Sequence, residues 1–199
     1  MAITINGNGT IGGVSVGGLP NGVVDTDMIA AGAVTAAKRG SGAILQVVQA
    51  TKTDTASVTG GTFADVGLSA SITPSSSSNK ILVLVQANIG GSLGYSRKGR
   101  LMRNSTAIHI GDSGGNRPQA TAEENGSYAG NADYNSGQVI MNFLDSPSTT
   151  SATTYKVQYA SYGSNLVYIN RSGRDLDGGA GSGYDARTAS SILLMEVAA

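Results

Sequence analysis

The sequence predicts an all-β fold, an antiparallel β-sandwich or jelly roll, preceded by an extended N-terminal segment with short helical turns. Three observations carry that reading. From Ala43 onward, short apolar and β-branched runs recur between clusters of Gly, Pro, Ser and Asn, the pattern of strands and their turns. The run Tyr155-Lys156-Val157-Gln158-Tyr159 alternates apolar and polar residues, so one face is dry and the other wet. Residues 1–42 contain no comparable run and are built instead from glycine-spaced small residues.

Taken in chain order, residues 1–21 come first. Ile3 and Ile5, then Ile11, Val14, Val16 and Leu19, sit among glycines, and their alternation predicts short extended pieces that pack on another surface. Residues 22–42 hold a degenerate repeat. Gly22-Val23-Val24-Asp25-Thr26-Asp27-Met28-Ile29-Ala30-Ala31 is followed at once by Gly32-Ala33-Val34-Thr35-Ala36-Ala37-Lys38-Arg39-Gly40-Ser41. One such unit is too small to bury a core alone, so partners must cover it. Asp25 or Thr26 would cap a short helical or turn-like piece through Ala31, and Gly40 would end another through Lys38.

The strands of residues 43–199 follow. Ile44–Val48 is the first, then Phe63–Ile72, closed by Pro74 and the serines at 75–78. Lys80–Gln86, the stretch Leu101–Arg103 to Ile108–Ile110, Val139–Leu144, Tyr155–Tyr159, Leu166–Ile169 and Ser191–Val197 complete about eight or nine, a count and spacing typical of sandwiches. Ile81–Val85 and Ile192–Val197 are apolar on both faces. A sandwich covers only one, so a neighbouring copy is the expected cover for the other. Val24, Ile29, Val34, Leu82, Leu84, Ile192 and Leu194 are the residues expected at that contact.

Composition narrows the function. Lysine plus arginine and aspartate plus glutamate number 13 each, which leaves no basic surplus to neutralise phosphates, so no nucleic-acid partner is expected. The chain has no cysteine, which excludes disulfides and thiolate metal sites. No apolar run approaches the roughly 20 residues that span a bilayer, so membrane insertion is not expected. The first residues lack a basic start and an apolar core, so no Sec signal is read there.

Motifs that suggest chemistry do not hold their context. Gly7-Asn8-Gly9-Thr10-Ile11-Gly12 matches G-x-G-x-x-G, but Val14–Pro20 cannot supply the helix on which a dinucleotide pyrophosphate rests. Asp175-Leu176-Asp177-Gly178, with Asp185 beyond, suggests a calcium loop, yet glycines and Ala186 fall where ligands belong. His109, the single histidine, is expected on a strand opposite Ile108 and Ile110, with no Ser or carboxylate at a triad's spacing. Glu123 and Glu124 are adjacent, and on a strand would point to opposite faces, which does not make the acid–base pair of a glycosidase. No catalytic residue, metal site or cofactor is therefore expected.

The loops are richer. Gly111–Gly137 carries Tyr128, Asn131, Asp133 and Tyr134, and residues 170–188 add Arg174 and Tyr184. Tyrosine beside Asn, Ser and Gly offers rigid contact area with adaptable hydrogen bonding, and these six are the receptor-contact candidates.

Gly9-Thr10-Ile11-Gly12-Gly13-Val14-Ser15-Val16-Gly17-Gly18-Leu19-Pro20, the Gly-Ala-Val-Thr-Ala-Ala-Lys unit at 32–38, Ile44–Gln49 and the stretch Ile72–Val83 resemble tail-fibre proteins of bacteriophages, particularly marine and cyanobacterial ones. The resemblance covers residues 9–85 best. It implies a homotrimer in the virion, whose N-terminal segment docks on other virion proteins, here through Ile3, Ile5, Ile11, Val14, Val16 and Leu19. It further implies that the C-terminal domain meets a host surface glycan or protein. The expected organisation is an anchoring and trimerising segment at 1–42 and a β-domain at 43–199. A head fibre or capsid decoration protein is the alternative position, and a glycan-cleaving depolymerase the remote one.

Overall fold

The computed structural model describes residues 4–5, 11–12, 29–31, 33–91, 94–125, 134, 136–178, 183 and 185–199. The chain divides into two compact units, Met1–Gly40 and Ser41–Ala199. In the first, β1 (Thr4–Ile5) pairs antiparallel with β2 (Ile11–Gly12). The last two residues of the glycine motif at 7–12, Ile11 and Gly12, are thus strand. Ile29–Ala31 forms a bend and a turn closed by the Ala33 amide donating to the Ala30 carbonyl. One helical turn, α1 (Ala36–Arg39), starts after Thr35 and stops at Gly40, whose φ of 81° only glycine adopts cheaply.

The second unit is an all-β, antiparallel two-sheet sandwich. Its strands are β3 (Ile44–Lys52), β4 (Ala56–Thr59), β5 (Ala64–Ile72), β6 (Lys80–Gly91), β7 (Ser96–Arg103), β8 (Thr106–Ile108), β9 (Ala122–Asn125), β10 (Ser136–Asp145), β11 (Thr153–Ala160), β12 (Leu166–Ile169) and β13 (Ser190–Val197). One sheet has the order β3-β13-β6-β12-β4 with β10 along the other side of β6, and the second has β5-β11-β7-β8 with β9 also on β7. β6 is the spine of the larger sheet. It pairs with β10 over its length, with β13 through Lys80–Gln86 and with β12 through Ile89–Gly91.

Period-2 alternation sorts the side chains. Ile81, Val83, Val85, Ala87 and Ile89 of β6 and Ile192 and Leu194 of β13 meet Val66, Leu68 and Ile72 of β5 and Tyr155, Val157 and Tyr159 of β11 in one core. Leu194 and Ile192 are completely buried. This corrects their expected place at a subunit contact: a one-residue offset on a strand reverses the face, and the outward residues of β13 are Leu193 and Met195. His109 is corrected as well. β8 ends at Ile108, and His109 turns away with a φ of 51°, exposed, its ring stacked on Phe143 at 4.7 Å.

Polar groups lock the ends of the core. Glu196, 1% exposed, accepts from the Ser75 amide at 2.6 Å, Ser75 Oγ at 2.7 Å and Asn79 Nδ2 at 2.7 Å. Burial alone would push its carboxyl up, but hydrogen bonds from Asn79, Ser75 and the Ser76 amide outweigh that and hold it below the usual glutamate range. Asp145, also buried, takes the Tyr155 hydroxyl at 2.6 Å and Arg103 Nη1 at 2.9 Å, joining the two sheets. No helix among the described residues is long and apolar enough to cross a membrane.

Candidate functional site

The outer face of the larger sheet is the most unusual surface of the second unit. Residues that alternate with the core ones form cross-strand rows across β3, β13, β6 and β10. Val47, Met195, Leu82 and Leu144 make one row, and Gln49, Leu193, Leu84 and Asn142 the next. Thr51, Ser191, Gln86 and Ile140 make a third. Val47 is 55% exposed and Ile140 58%, with Ile44 and Leu144 also open to solvent. A depression of about 300 Å³ lies between Leu84, Leu193, Ile140, Gln49 and Asn142. Soluble monomers rarely leave a contiguous apolar face of this kind uncovered.

Farther along the same face, over Gly90 of β6, the chain lies on itself. Asn170, fully buried at the end of β12, adopts a φ of 61°, which asparagine tolerates. Its amide nitrogen donates to the Lys52 and Asp54 carbonyls at 2.8 and 2.9 Å, and its side-chain oxygen accepts from Ser190 Oγ at 2.6 Å. The loop that follows is laid over β6 at Gly90, where a Cβ would come within 2.3 Å of the Arg171 carbonyl. Only glycine permits that approach.

Charged pairs set the loop. Asp185 accepts from Ser172 Oγ at 2.5 Å, from Arg174 Nε at 2.8 Å and Nη2 at 2.6 Å, and from the Leu176 amide at 3.2 Å. Those bonds, that of Ser172 foremost and Arg174 next, hold its carboxyl below the usual aspartate range against the opposing effect of burial. Asp175 pairs with Arg187 at 2.9 Å and Arg171 at 3.5 Å. Of the carboxylates that resembled a calcium loop, Asp175 and Asp185 are thus engaged by arginines, and no cluster of three ligating side chains occurs among the described residues. Arg171 stacks on Tyr168 and Arg174 on Tyr134, each with its guanidinium 3.7 Å from the ring centre.

Of the six receptor-contact candidates, the structure brings Tyr134 and Arg174 together, although 39 to 40 positions of chain separate them in the numbering. Tyr134 remains 37% exposed. Tyr128, Asn131, Asp133 and Tyr184 lie outside the described residues. So do Val24, Ile3, Val14, Val16 and Leu19, while Ile5 and Ile11 form a registered pair between β1 and β2. Ile29 and Val34 are exposed, at 43% and 50%. Leu82 and Leu84 lie half-buried on the bare sheet face.

Glu123 and Glu124 do point apart on β9. Glu123 faces Lys98 at 4.0 Å and Glu124 faces Arg97 at 2.5 Å. Arg97 is 1% exposed, and nothing in the sequence marks it as interior. Two further tyrosines escaped the sequence reading. Tyr95 and Tyr162 stack on each other at 6.3 Å; each stands alone in its loop, so only the fold reveals the pair.

No family model matches the chain, and no curated protein matches its sequence. Among solved structures it is similar to that of infectious bursal disease virus, Gx strain, at 13% identity and a TM-score of 0.40, over 80% of this chain and 39% of that one. T=1 particles derived from infectious bursal virus match at 14% identity and 0.39, over 77% and 36%. The VP2 subviral particle of infectious bursal disease virus matches at 11% and 0.36, over 77% and 37%. The chain spans less than two fifths of the length of these solved chains.

Proposed function

We propose that this chain is a structural protein of a bacteriophage virion, a homotrimeric tail fibre that attaches to the host surface by binding rather than by chemistry. The observation that carries the self-assembly part is the bare half of the outer sheet face. Its centre holds Leu82, Leu84, Leu193 and Met195 and no charged side chain, so a second copy can cover it without desolvating an ion. Burying what remains exposed of Val47, Ile140 and Leu144 contributes about 1 kcal/mol apiece. Trimerisation adds avidity, since three weak host contacts on one particle exceed any single one. The tail-fibre position and the number three rest on the resemblance of residues 9–85, and the N-terminal unit is assigned to other virion proteins on the same ground.

Sedimentation of the full chain at micromolar concentration tests the assembly. The native protein is expected as a trimer, and the double variant Leu84→Asp, Leu193→Asp as a folded monomer. A native chain that sediments as a compact monomer overturns the proposal. Antibody-labelled electron microscopy of the particle tests the position. Copies at the tail tip support a fibre, and copies on capsid axes reassign the chain to a head fibre or decoration protein.

A further inference from the structure

Tyr95 and Tyr162 come from different loops, one entering β7 and the other joining β11 to β12, and meet at one end of the sandwich. Their rings are 6.3 Å apart and within 11° of parallel. Tyr162 keeps 69% of its surface in water and Tyr95 40%. The backbone beneath them is organised to hold them there. The Ser161 amide donates to the Gly60 carbonyl at 2.9 Å and the Gly60 amide to the Asn165 carbonyl at 3.0 Å. Within the loop, Asn165 Nδ2 donates to the Tyr162 carbonyl at 2.6 Å, and Gly163 takes a φ of 58°. Ser161 Oγ reaches the Ser96 carbonyl at 3.2 Å, tying this loop to the one that carries Tyr95. The rings are thus preset before any ligand arrives, and little side-chain freedom remains to be lost on contact.

We propose that Tyr95 and Tyr162 form a stacking platform for a neutral pyranose glycan, which deepens, and rests on, the host-attachment reading above. The carbon-bound hydrogens on one side of a pyranose ring are apolar and lie flat on a tyrosine face. Tyr95 backs the ring of Tyr162, whose more open face suits one pyranose residue of an oligosaccharide. Asn165 and Ser164 beside Tyr162 supply hydrogen bonds for hydroxyls. The electrostatics favour a neutral ligand. Residues 94–96 and 161–165 contain no charged side chain. The cations that follow Tyr95 on β7 are engaged: Arg97 through Nη1 with Glu124, and Lys98 with Ser96 Oγ at 2.6 Å and Glu123. Residues 94–96 and 161–165 offer nucleic acid no cation for its phosphates.

The test is titration of the full chain with neutral hexamers of glucose, galactose and mannose, followed by saturation-transfer NMR. At least one is expected to bind, with magnetisation transferred to one side of its rings. Tyr162→Ala is expected to weaken binding roughly tenfold, while Tyr162→Phe, which keeps the ring, stays within about threefold of the native chain. Melting within about 2 °C of native for both variants shows that the fold is intact, as expected for so exposed a ring. Failure of all three hexamers to bind overturns the platform, as does binding that Tyr162→Ala leaves unchanged. A proline-rich peptide or single-stranded oligonucleotide that binds in a Tyr162-dependent manner, where the hexamers do not, overturns the ligand class. If hexamers fail while labelled copies still decorate the tail, only the platform falls. If copies are absent from the particle, the attachment reading falls instead.

Discussion

The two sheets bury similar side chains between them but present opposite outer faces. On the smaller sheet, β5, β11 and β7 turn out Asp65, Ser69, Ser71, Thr154, Lys156, Gln158, Lys98 and Arg100. These are knitted together: Lys156 to Asp65 at 2.7 Å, Gln158 to Asp65 at 2.8 Å, Ser71 to Thr154 at 2.8 Å, and Arg100 over Phe63 at 3.8 Å. On the larger sheet, β13 does the reverse. It turns Glu196 and Ser190 inward and Leu193 and Met195 outward. The difference teaches that alternation by itself does not distinguish inside from outside. The smaller sheet is finished toward water, whereas on the larger a loop lies over Gly90 and the described residues of the second unit leave Val47, Ile140 and Leu144 open.

The largest expected effect separates the two faces of β13. Leu194→Ala opens a cavity in the core and is expected to cost about 2–5 kcal/mol, read as a fall in the denaturation midpoint. Leu193→Ser, one residue away, should change the monomer by no more than about 1 kcal/mol while weakening association. Equal losses from the two would break the inside–outside assignment.

Glu196 sharpens the inversion through pH. Its carboxyl sits below the ordinary value of 4.5 in the folded chain, so the unfolded state binds the proton more readily. The stability it contributes is therefore full above about pH 4.5 and lost as pH falls through the lower folded value. Asp65 and Asp185, lowered by their own hydrogen-bond partners Lys156 and Ser172, act with the same sign. Glu196→Gln is expected to destabilise at pH 7 by about 1–3 kcal/mol and to flatten part of the acid limb of the melting curve. An unchanged slope would remove Glu196 as a contributor. The smallest effect belongs to the wet face. Lys156→Ala, which breaks a half-exposed ion pair with Asp65, should cost under about 1 kcal/mol and less in high salt, measured by chemical denaturation at two ionic strengths.

Much of the strand content is legible in the chain. Leu166–Ile169 and Tyr155–Tyr159 are read with near-correct bounds because the first is a short apolar, β-branched and aromatic run between turn formers and the second alternates apolar and polar residues. β4 and β9 escape notice since Ala56–Thr59 and Ala122–Asn125 lack a run of β-branched or aromatic residues. Pairing with β12 and β7, rather than local preference, makes them strands. Of the candidate site, the doubly apolar character of β6 and β13 is evident, but the faces are not. Leu82 and Leu84 fall outward and Ile192 and Leu194 inward, and no local signal in Ser191-Ile192-Leu193-Leu194-Met195 says which alternate set faces the core.

By itself the sequence determined that this chain makes antiparallel strands, that it has more apolar strand surface than one core consumes, and that its loops carry tyrosine with small polar residues. Those properties are local, set by side-chain shape and period. Tertiary structure alone decided which set each strand buries, because register across β6 and β13 is a property of neighbours. It also decided that Arg174 lies on Tyr134 and that Tyr95 meets Tyr162, since both pairs join segments that only chain reversal brings within reach.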